Sequence, residues 1–184
     1  MEQEGRQVLD MADRIVENIV VTAMLHQKLP LQTLAVSISN AEFHDEEPVL
    51  IFRFDDPKRA VVLTEKGRIT CTGVTEIQQG KDTIYQVINT LKDHSIPIQE
   101  MPDVVIQNFV ISVSQDEIIN LDEMKLKLPA DQIIYQPGKN PWLEYLYDEH
   151  VTFLIGNEGR IICTGTGSID HAHQAIDNLL QVIE

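Results

Sequence analysis

The sequence predicts an α+β protein made of two copies of one unit, an antiparallel sheet segment with helices on one face. Three observations carry this. Gly67-Arg68-Ile69-Thr70-Cys71-Thr72-Gly73 returns 92 residues later as Gly159-Arg160-Ile161-Ile162-Cys163-Thr164-Gly165, identical at six of seven positions. Each copy follows an apolar run suited to a strand, Ala60–Leu63 and Val151–Ile155. Each precedes a segment with apolar residues at helical spacing. A repeat of this length sets the architecture before any single element is assigned.

The elements follow in order. Residues 1–14 form a polar lead-in, and Ile15 to Met24 is a β-branched strand. After Pro30, Leu31, Leu34, Ala35 and Ile38 describe a short amphipathic helix. Phe43 opens an extended piece that ends in the acidic turn Asp45-Glu46-Glu47-Pro48. Val49–Phe54 is a strand, Asp55-Asp56-Pro57 a turn, and Ala60–Thr64 with Arg68–Thr72 a hairpin. A helix is expected from Thr75, with Gln78 as its capping-box partner and Ile77, Ile84, Val87, Ile88 and Leu91 on one face. The first repeat covers 15–93 and a proline-bearing linker 94–103; the second repeat covers 104–184. There the strand Val104–Ile111 is followed by a helix at Leu121, Met124 and Leu128. Tyr135 stands in the place of Phe43. The turn Gln136–Pro141, the strand Trp142–Tyr147, the hairpin Val151–Thr164 and a helix from Ser168 complete the copy. Two helices per half cover one face of such a sheet and leave the other open.

Composition narrows the function classes. The chain has 184 residues, is 43% hydrophobic and carries a net charge of −15, with 14 Lys and Arg against 29 Asp and Glu. That balance opposes sequence-blind attraction to phosphate, which rests on cations releasing counterions. Salt adaptation and an acidic partner-binding face both account for the acidity, and composition does not separate them. No apolar run approaches the ~18 residues of a membrane span, and the polar start at Met1–Asp10 is no signal peptide, so a cytoplasmic protein without membrane contact is expected. The two cysteines, one per repeat, have no metal-ligand spacing and read as small core residues behind the sheet.

Strand side chains alternate between faces. With Ile69 and Cys71 turned to the helices, Thr70 and Thr72 face outward, and Ile162 and Thr164 match them. Ile19 and Val21 inward leave Asn18, Val20 and Thr22 outward, with Asn108 and Val110 as counterparts. An outward face of Asn, Thr, Val and Ile suits a ligand surface; ordinary β-formers on a half-exposed sheet would read the same way.

The chain resembles the TATA-box-binding protein family over about residues 13–184. The matching pieces are Glu17-Asn18-Ile19-Val20, Asn40-Ala41-Glu42-Phe43, Asp56-Pro57-Lys58, Gly67–Gly73, Ile106-Gln107-Asn108-Phe109-Val110 and Gly159–Gly165. The resemblance implies one intertwined saddle domain, in which two pseudo-twofold repeats form a curved antiparallel sheet with helices on the convex face. It implies a general transcription initiation factor that binds promoter DNA in the minor groove and recruits a transcription factor B-type partner. The setting would be the cytoplasm, nucleoid-associated, in an archaeon, or the nucleus in a eukaryote. Carried over, Asn18 and Asn108 read minor-groove acceptors, with Val20, Val110, Thr70, Thr72, Ile162 and Thr164 beside them on the DNA face. Arg53, Arg68 and Arg160 stand at phosphate-contacting positions. Amide donors and small apolar groups suit A·T pairs, which lack the guanine amino group in that groove.

The departures are as informative. The family wedges four phenylalanines between base steps; the matching positions hold Glu47, Thr64, Asn140 and Gly156. Such wedges drive a bend of ~80°, for which TATA-box-binding proteins are themselves the reference case. In the second half Leu146 replaces the cation matching Arg53, Glu144 shares its face with Trp142 and Leu146, and the acidic stirrup becomes Gly138-Lys139-Asn140. These changes support an alternative, a divergent relative acting mainly as a protein-interaction or regulatory module with weak or no DNA bending. Trp142, Leu143 and Tyr145 would be its exposed partner-binding residues, and self-association over the uncharged sheet face is a further possibility.

Other motifs carry less. His171 and His173 lie two apart on a helix and so share no face, Gly165-Thr166-Gly167-Ser168 lacks the lysine of a phosphate loop, and Asp45-Glu46-Glu47 reads as a solvated turn. No catalytic residue, metal site or cofactor is expected.

Overall fold

The computed structural model describes residues 13–183. The first half runs β1 (Arg14–Met24), α1 (Leu31–Ser37), β2 (Ala41–His44), β3 (Val49–Asp55), β4 (Lys58–Thr64), β5 (Arg68–Val74) and α2 (Ile77–Asp93). The second runs β6 (Val105–Ser114), α3 (Leu121–Lys127), a 3-10 turn (Ala130–Gln132), β7 (Ile133–Ile134), β8 (Trp142–Leu146), β9 (Thr152–Gly156), β10 (Arg160–Thr164) and α4 (Ile169–Ile183). Of the polar lead-in, Met1 to Ala12 lie outside the described residues.

Strand order in the first half is β2-β3-β4-β5-β1 and in the second β7-β8-β9-β10-β6, with every described pairing antiparallel. The chain divides into two compact units, one holding Glu17–Val110 and Thr166–Ile169, the other Ile111–Gly165 with the described residues of both termini.

In each half the buried strand residues face the long helix. Val21, Leu50, Phe52, Val61, Leu63, Ile69 and Cys71 of the sheet and Ile84, Val87, Ile88 and Leu91 of α2 are all at most 1% exposed. In the second half Leu143, Phe153, Ile155, Ile161 and Cys163 play the same part beneath Ala172, Ala175, Ile176 and Leu179 of α4. Buried area of this kind is the main stabilising term in the fold. The short helices are joined to the long ones at their C-terminal ends. His94 brings its ring nitrogens to 2.8 Å from the Thr90 carbonyl and 3.2 Å from that of Ser37. Lys127 Nζ donates to the carbonyls of Val182 and Ile183 at 3.1 and 3.2 Å, a cation set against the negative end of a helix.

The repeated segment ends in glycine because the backbone there is left-handed and crowded. Gly73 has φ 86°, and a Cβ on it would stand 2.6 Å from the Lys58 carbonyl oxygen; Gly165 has φ 111° and would meet that of His150. Only glycine combines that φ with so close an approach.

Two local expectations are corrected. The helix expected at Thr75 begins at Ile77 after Glu76, with no side-chain cap, and Gln78 Nε2 donates instead to Asp82 Oδ1 at 2.8 Å. A side-chain N-cap stands instead at α3, where Asn120 Oδ1 accepts from the N–H groups of Asp122 and Glu123 and Asn120 Nδ2 donates to Glu123 Oε1. Asn is among the residues best suited to that N-cap position. Ile77 also departs from its assigned face: it is 37% exposed, one turn short of where α2 meets the sheet.

Candidate nucleic-acid interface

On the face turned away from α2, each strand of the first half contributes alternate residues. The register gives two cross-strand rows, Glu42-Ile51-Val62-Thr70-Thr22 and Arg53-Ala60-Thr72. Asn18, Val20, Thr70 and Thr72 are half-buried, and Arg53 and Arg68 are exposed at the margin. Asn18 is held in place. Its Nδ2 donates to Thr72 Oγ1 at 3.0 Å, while its Oδ1 accepts from the Gly73 N–H at 2.8 Å and the Thr72 hydroxyl at 3.3 Å. The carbonyl oxygen and one N–H of the amide are thereby committed to the protein, and the second N–H has no partner among the described residues. Thr22 donates to the Ile69 carbonyl at 2.9 Å. A cavity of about 520 Å³ opens beside Asn18 and Thr72 and is lined also by Glu17, Arg53, Lys58 and Arg59.

In the second half the matching row is Ile134-Glu144-Leu154-Ile162-Ser112, with Leu146-Thr152-Thr164 beside it. Asn108, Val110, Ile162 and Thr164 are half-buried and Arg160 is exposed. Leu146 and Ile134 are exposed apolar residues. This face is more apolar than its counterpart, and Glu144 brings a carboxylate onto it.

Three features of the interface escaped the sequence. Glu42 stands on the same face as Arg53, 3.7 Å from its guanidinium, so the cation expected at a phosphate is shared with a carboxylate. Only the β2–β3 register brings these residues together. Lys58 lines the cavity beside Asn18 and adds a second cation there. Arg59 braces the turn from behind: its guanidinium lies 5.1 Å from the Phe54 ring centre and donates to the Thr83 hydroxyl at 2.7 Å.

One expectation about the interface is overturned. Leu143 is 0% exposed and Tyr145 8%. Both point into the core beneath α4, where Tyr145 stacks on Phe153 and meets Tyr147 edge-on. Alternation puts Trp142, Glu144 and Leu146 on the open face and forces Leu143 and Tyr145 inward. An exposed partner-binding trio does not exist; Trp142 alone of the three remains at the surface.

At the four positions where the resemblance implies aromatic wedges, no apolar side chain projects. Glu47 sits in the exposed turn, the Thr64 hydroxyl accepts from the Arg68 N–H at 3.1 Å, Asn140 Oδ1 accepts from the Trp142 N–H at 3.1 Å, and Gly156 has no side chain.

Comparison with known proteins decides the family. The model of the family described as "Transcription factor TFIID (or TATA-binding protein, TBP)" matches residues 13–94 and again 103–184. The chain belongs to the TATA-box-binding protein family. It is 32% identical over 163 residues to the TATA-box-binding protein of Thermoplasma volcanium, spanning 88% of this chain and 89% of that one. It is 35% identical over 164 residues to TATA-box-binding protein D of Halobacterium salinarum, spanning 88% of each. Among solved structures, the Methanococcus jannaschii TBP superposes with a TM-score of 0.81 at 31% identity, covering 93% of this chain and 98% of that one. The α+β saddle fold of the family, with its two repeats and four helices, is therefore the fold of this chain.

The remaining candidates are structural. Burial pushes the Cys71 thiol up to about 11 despite Arg59 and Thr83, and burial with Asp148 nearby pushes Cys163 up to about 12. His171 Nε2 lies 2.9 Å from Asp148 Oδ2. Burial raises the Asp148 carboxyl, but the N–H groups of Val151 and His150, each at 2.7 Å, together with His171 outweigh it and hold the group below its ordinary value. Among the described residues no group of three or more His, Cys, Asp or Glu is placed to hold a metal. The Thr166 carbonyl accepts from the Phe109 N–H at 2.8 Å, so the Gly165–Ser168 loop serves strand contact. Among the described residues no helix is long and apolar enough to cross a membrane.

Proposed function

We propose that the chain is a transcription initiation factor that binds TATA-box DNA in the minor groove through the open face of its sheet and recruits a transcription factor B-type partner. The observation that carries this is Asn18 on the open face, whose Oδ1 is held by the Gly73 N–H and the Thr72 hydroxyl and whose Nδ2 spends one N–H on Thr72, so that the amide is fixed in place with a second N–H to offer. Minor-groove A·T pairs present only acceptors, and a pre-oriented donor with small neighbours at Val20, Thr70 and Thr72 is complementary to them. Asn108, Val110, Ile162 and Thr164 are the matching set in the second half. Arg53, Lys58, Arg68 and Arg160 would meet phosphates at the margins. The relatives' description as TATA-box-binding proteins supports the same reading.

The test is fluorescence anisotropy of a labelled TATA duplex across a potassium series, for the wild type and for Asn18→Ala and Asn108→Ala. Each variant is expected to bind roughly 5- to 100-fold more weakly, the range for loss of a good base-edge contact. Unchanged affinity in both would remove the assigned readout.

A second reading draws on the wedge positions. With Glu47, Thr64, Asn140 and Gly156 there, and Glu144 on the second half's face, a module that works chiefly through protein contacts and bends DNA weakly is the competitor. Binding of the partner with no DNA binding at any salt would favour it.

A further inference from the structure

The second half is short of the means to hold DNA by charge. Leu146 stands in the row where the first half has Arg53, and Glu144 lies on the same face. What that face has instead is Trp142. It opens β8, is half-buried, and alternates with the buried Leu143. Its cross-strand partner is Gly156, which presents no side chain to it. The first half has nothing similar: there the corresponding pair is Val49 with Thr64. Thr64 and Gly156 each stand three residues before their copy of the repeated Gly-Arg-Ile, so the two pairs are equivalent by register.

We propose that Trp142 is a base-stacking residue for nucleic acid, acting in the second half only. This rests on the reading that the open face binds DNA. An indole on the open face has no side chain opposite it on β9, and the nearest neighbour in that space is the Glu158 carboxylate, 2.7 Å from where a Gly156 Cβ would be. Stacking is the contact that such a surface offers a base, because every base has a π-face and the interaction needs no cation. Carboxylates at Glu144 and Glu158 disfavour a phosphate there, and an uncharged base edge or face is the part of DNA they oppose least. The two halves then divide the work. Beyond the asparagine and the marginal arginine that both supply, the first adds Arg53 and the second adds one aromatic plane, so the deformation of the duplex is one-sided.

Trp142 is the only tryptophan in the chain, so its emission reports on this position alone. Titration of the full chain with an unlabelled TATA duplex should quench that emission with the same midpoint that anisotropy gives for binding, and should protect it from acrylamide. Trp142→Ala should weaken binding roughly 5- to 100-fold, in line with the loss of one base–aromatic stack, and Trp142→Phe should recover most of it. Thermal unfolding of both variants separates stacking from packing: a ring that merely covers Gly156 would lower Tm on removal without a selective loss of affinity. DNA binding with unchanged Trp142 emission, or with affinity indifferent to Trp142→Ala, overturns the inference and leaves the DNA-binding reading standing. Quenching by a factor B-type protein without DNA assigns the residue to a protein partner and overturns it as well. No DNA binding under any condition removes the reading and the inference together.

Discussion

Gly80→Ala sets two effects of known size against each other at the contact between α2 and β1. An alanine favours a helix interior over glycine by about 0.8–1 kcal/mol. Its Cβ, however, would stand 2.7 Å from Val21 Cγ2 and 3.3 Å from both Val21 Cγ1 and Val74 Cγ2. That is about an ångström inside the ~3.5–4.0 Å at which carbon atoms attract. Val21 and Val74 are 0% exposed, and a β-branched side chain in a packed sheet has little χ1 freedom with which to retreat. Overpacking of a close-fitted core costs about 1–3 kcal/mol, and stiff neighbours put this site in the upper part of that range. The clash therefore wins, by about 1–2 kcal/mol, which for a chain of this size lowers Tm by roughly 2–8 °C. Val21→Ala alone should cost about 2–3 kcal/mol from lost burial and the cavity left behind. In the double variant the new methyl group occupies the vacated space, so the two losses should fall short of additivity by about 1 kcal/mol or more. Urea unfolding of the four proteins supplies the cycle. A Gly80→Ala protein as stable as the wild type, with additive losses in the double variant, would refute the claim that α2 is held against β1 at this distance. Val21 alternates with Val20 and Thr22, so this contact also sets the floor of the proposed interface.

Three further outcomes are expected. Asp148→Asn should destabilise the protein at neutral pH and progressively less in acid. The folded carboxyl lies below its ordinary value, so its stabilisation is complete above the unfolded value of 3.8 and is lost as pH falls through the folded one; urea midpoints of variant and wild type should converge at low pH. Cys71 and Cys163, held at about 11 and about 12, should resist thiol reagents at pH 8 in the native state and react on unfolding, as followed by absorbance of the released chromophore. Glu144→Gln should tighten TATA-duplex binding a few-fold at low salt, with a smaller gain as salt rises, because it removes a charge that repels phosphate; anisotropy measures both.

Much of the fold is legible because the repeat lets each weak signal be read twice. The cysteine of Gly-Arg-Ile-x-Cys-Thr-Gly turns inward in both halves and the threonine after it, Thr72 or Thr164, outward, as alternation requires. What the sequence hides depends on pairing across strands. Glu42 and Arg53 are far apart in the chain and meet only through the β2–β3 register. Trp142 is an ordinary aromatic until its partner is known to be Gly156. Leu143 and Tyr145 cannot be grouped with Trp142 as a surface, because alternation along β8 separates them. At the start of α2, Thr75 and Gln78 fit a capping pattern, but the helix begins at Ile77 after Glu76 and the Gln78 amide donates to Asp82. Of the interface, the uncharged centre is readable from single strands, and the balance of charge at its margins is not.

The central claim is that this open face binds TATA-box DNA with its wedge positions filled by Glu, Thr, Asn and Gly. Energy transfer across a doubly labelled TATA duplex, over a potassium series with and without a factor B-type protein, tests it most directly. Salt-dependent binding is expected, with a bend well short of the ~80° for which TATA-box-binding proteins are the reference case. Absence of binding at every salt concentration would contradict the interface, and a full ~80° bend would contradict the claim that losing the wedges weakens bending.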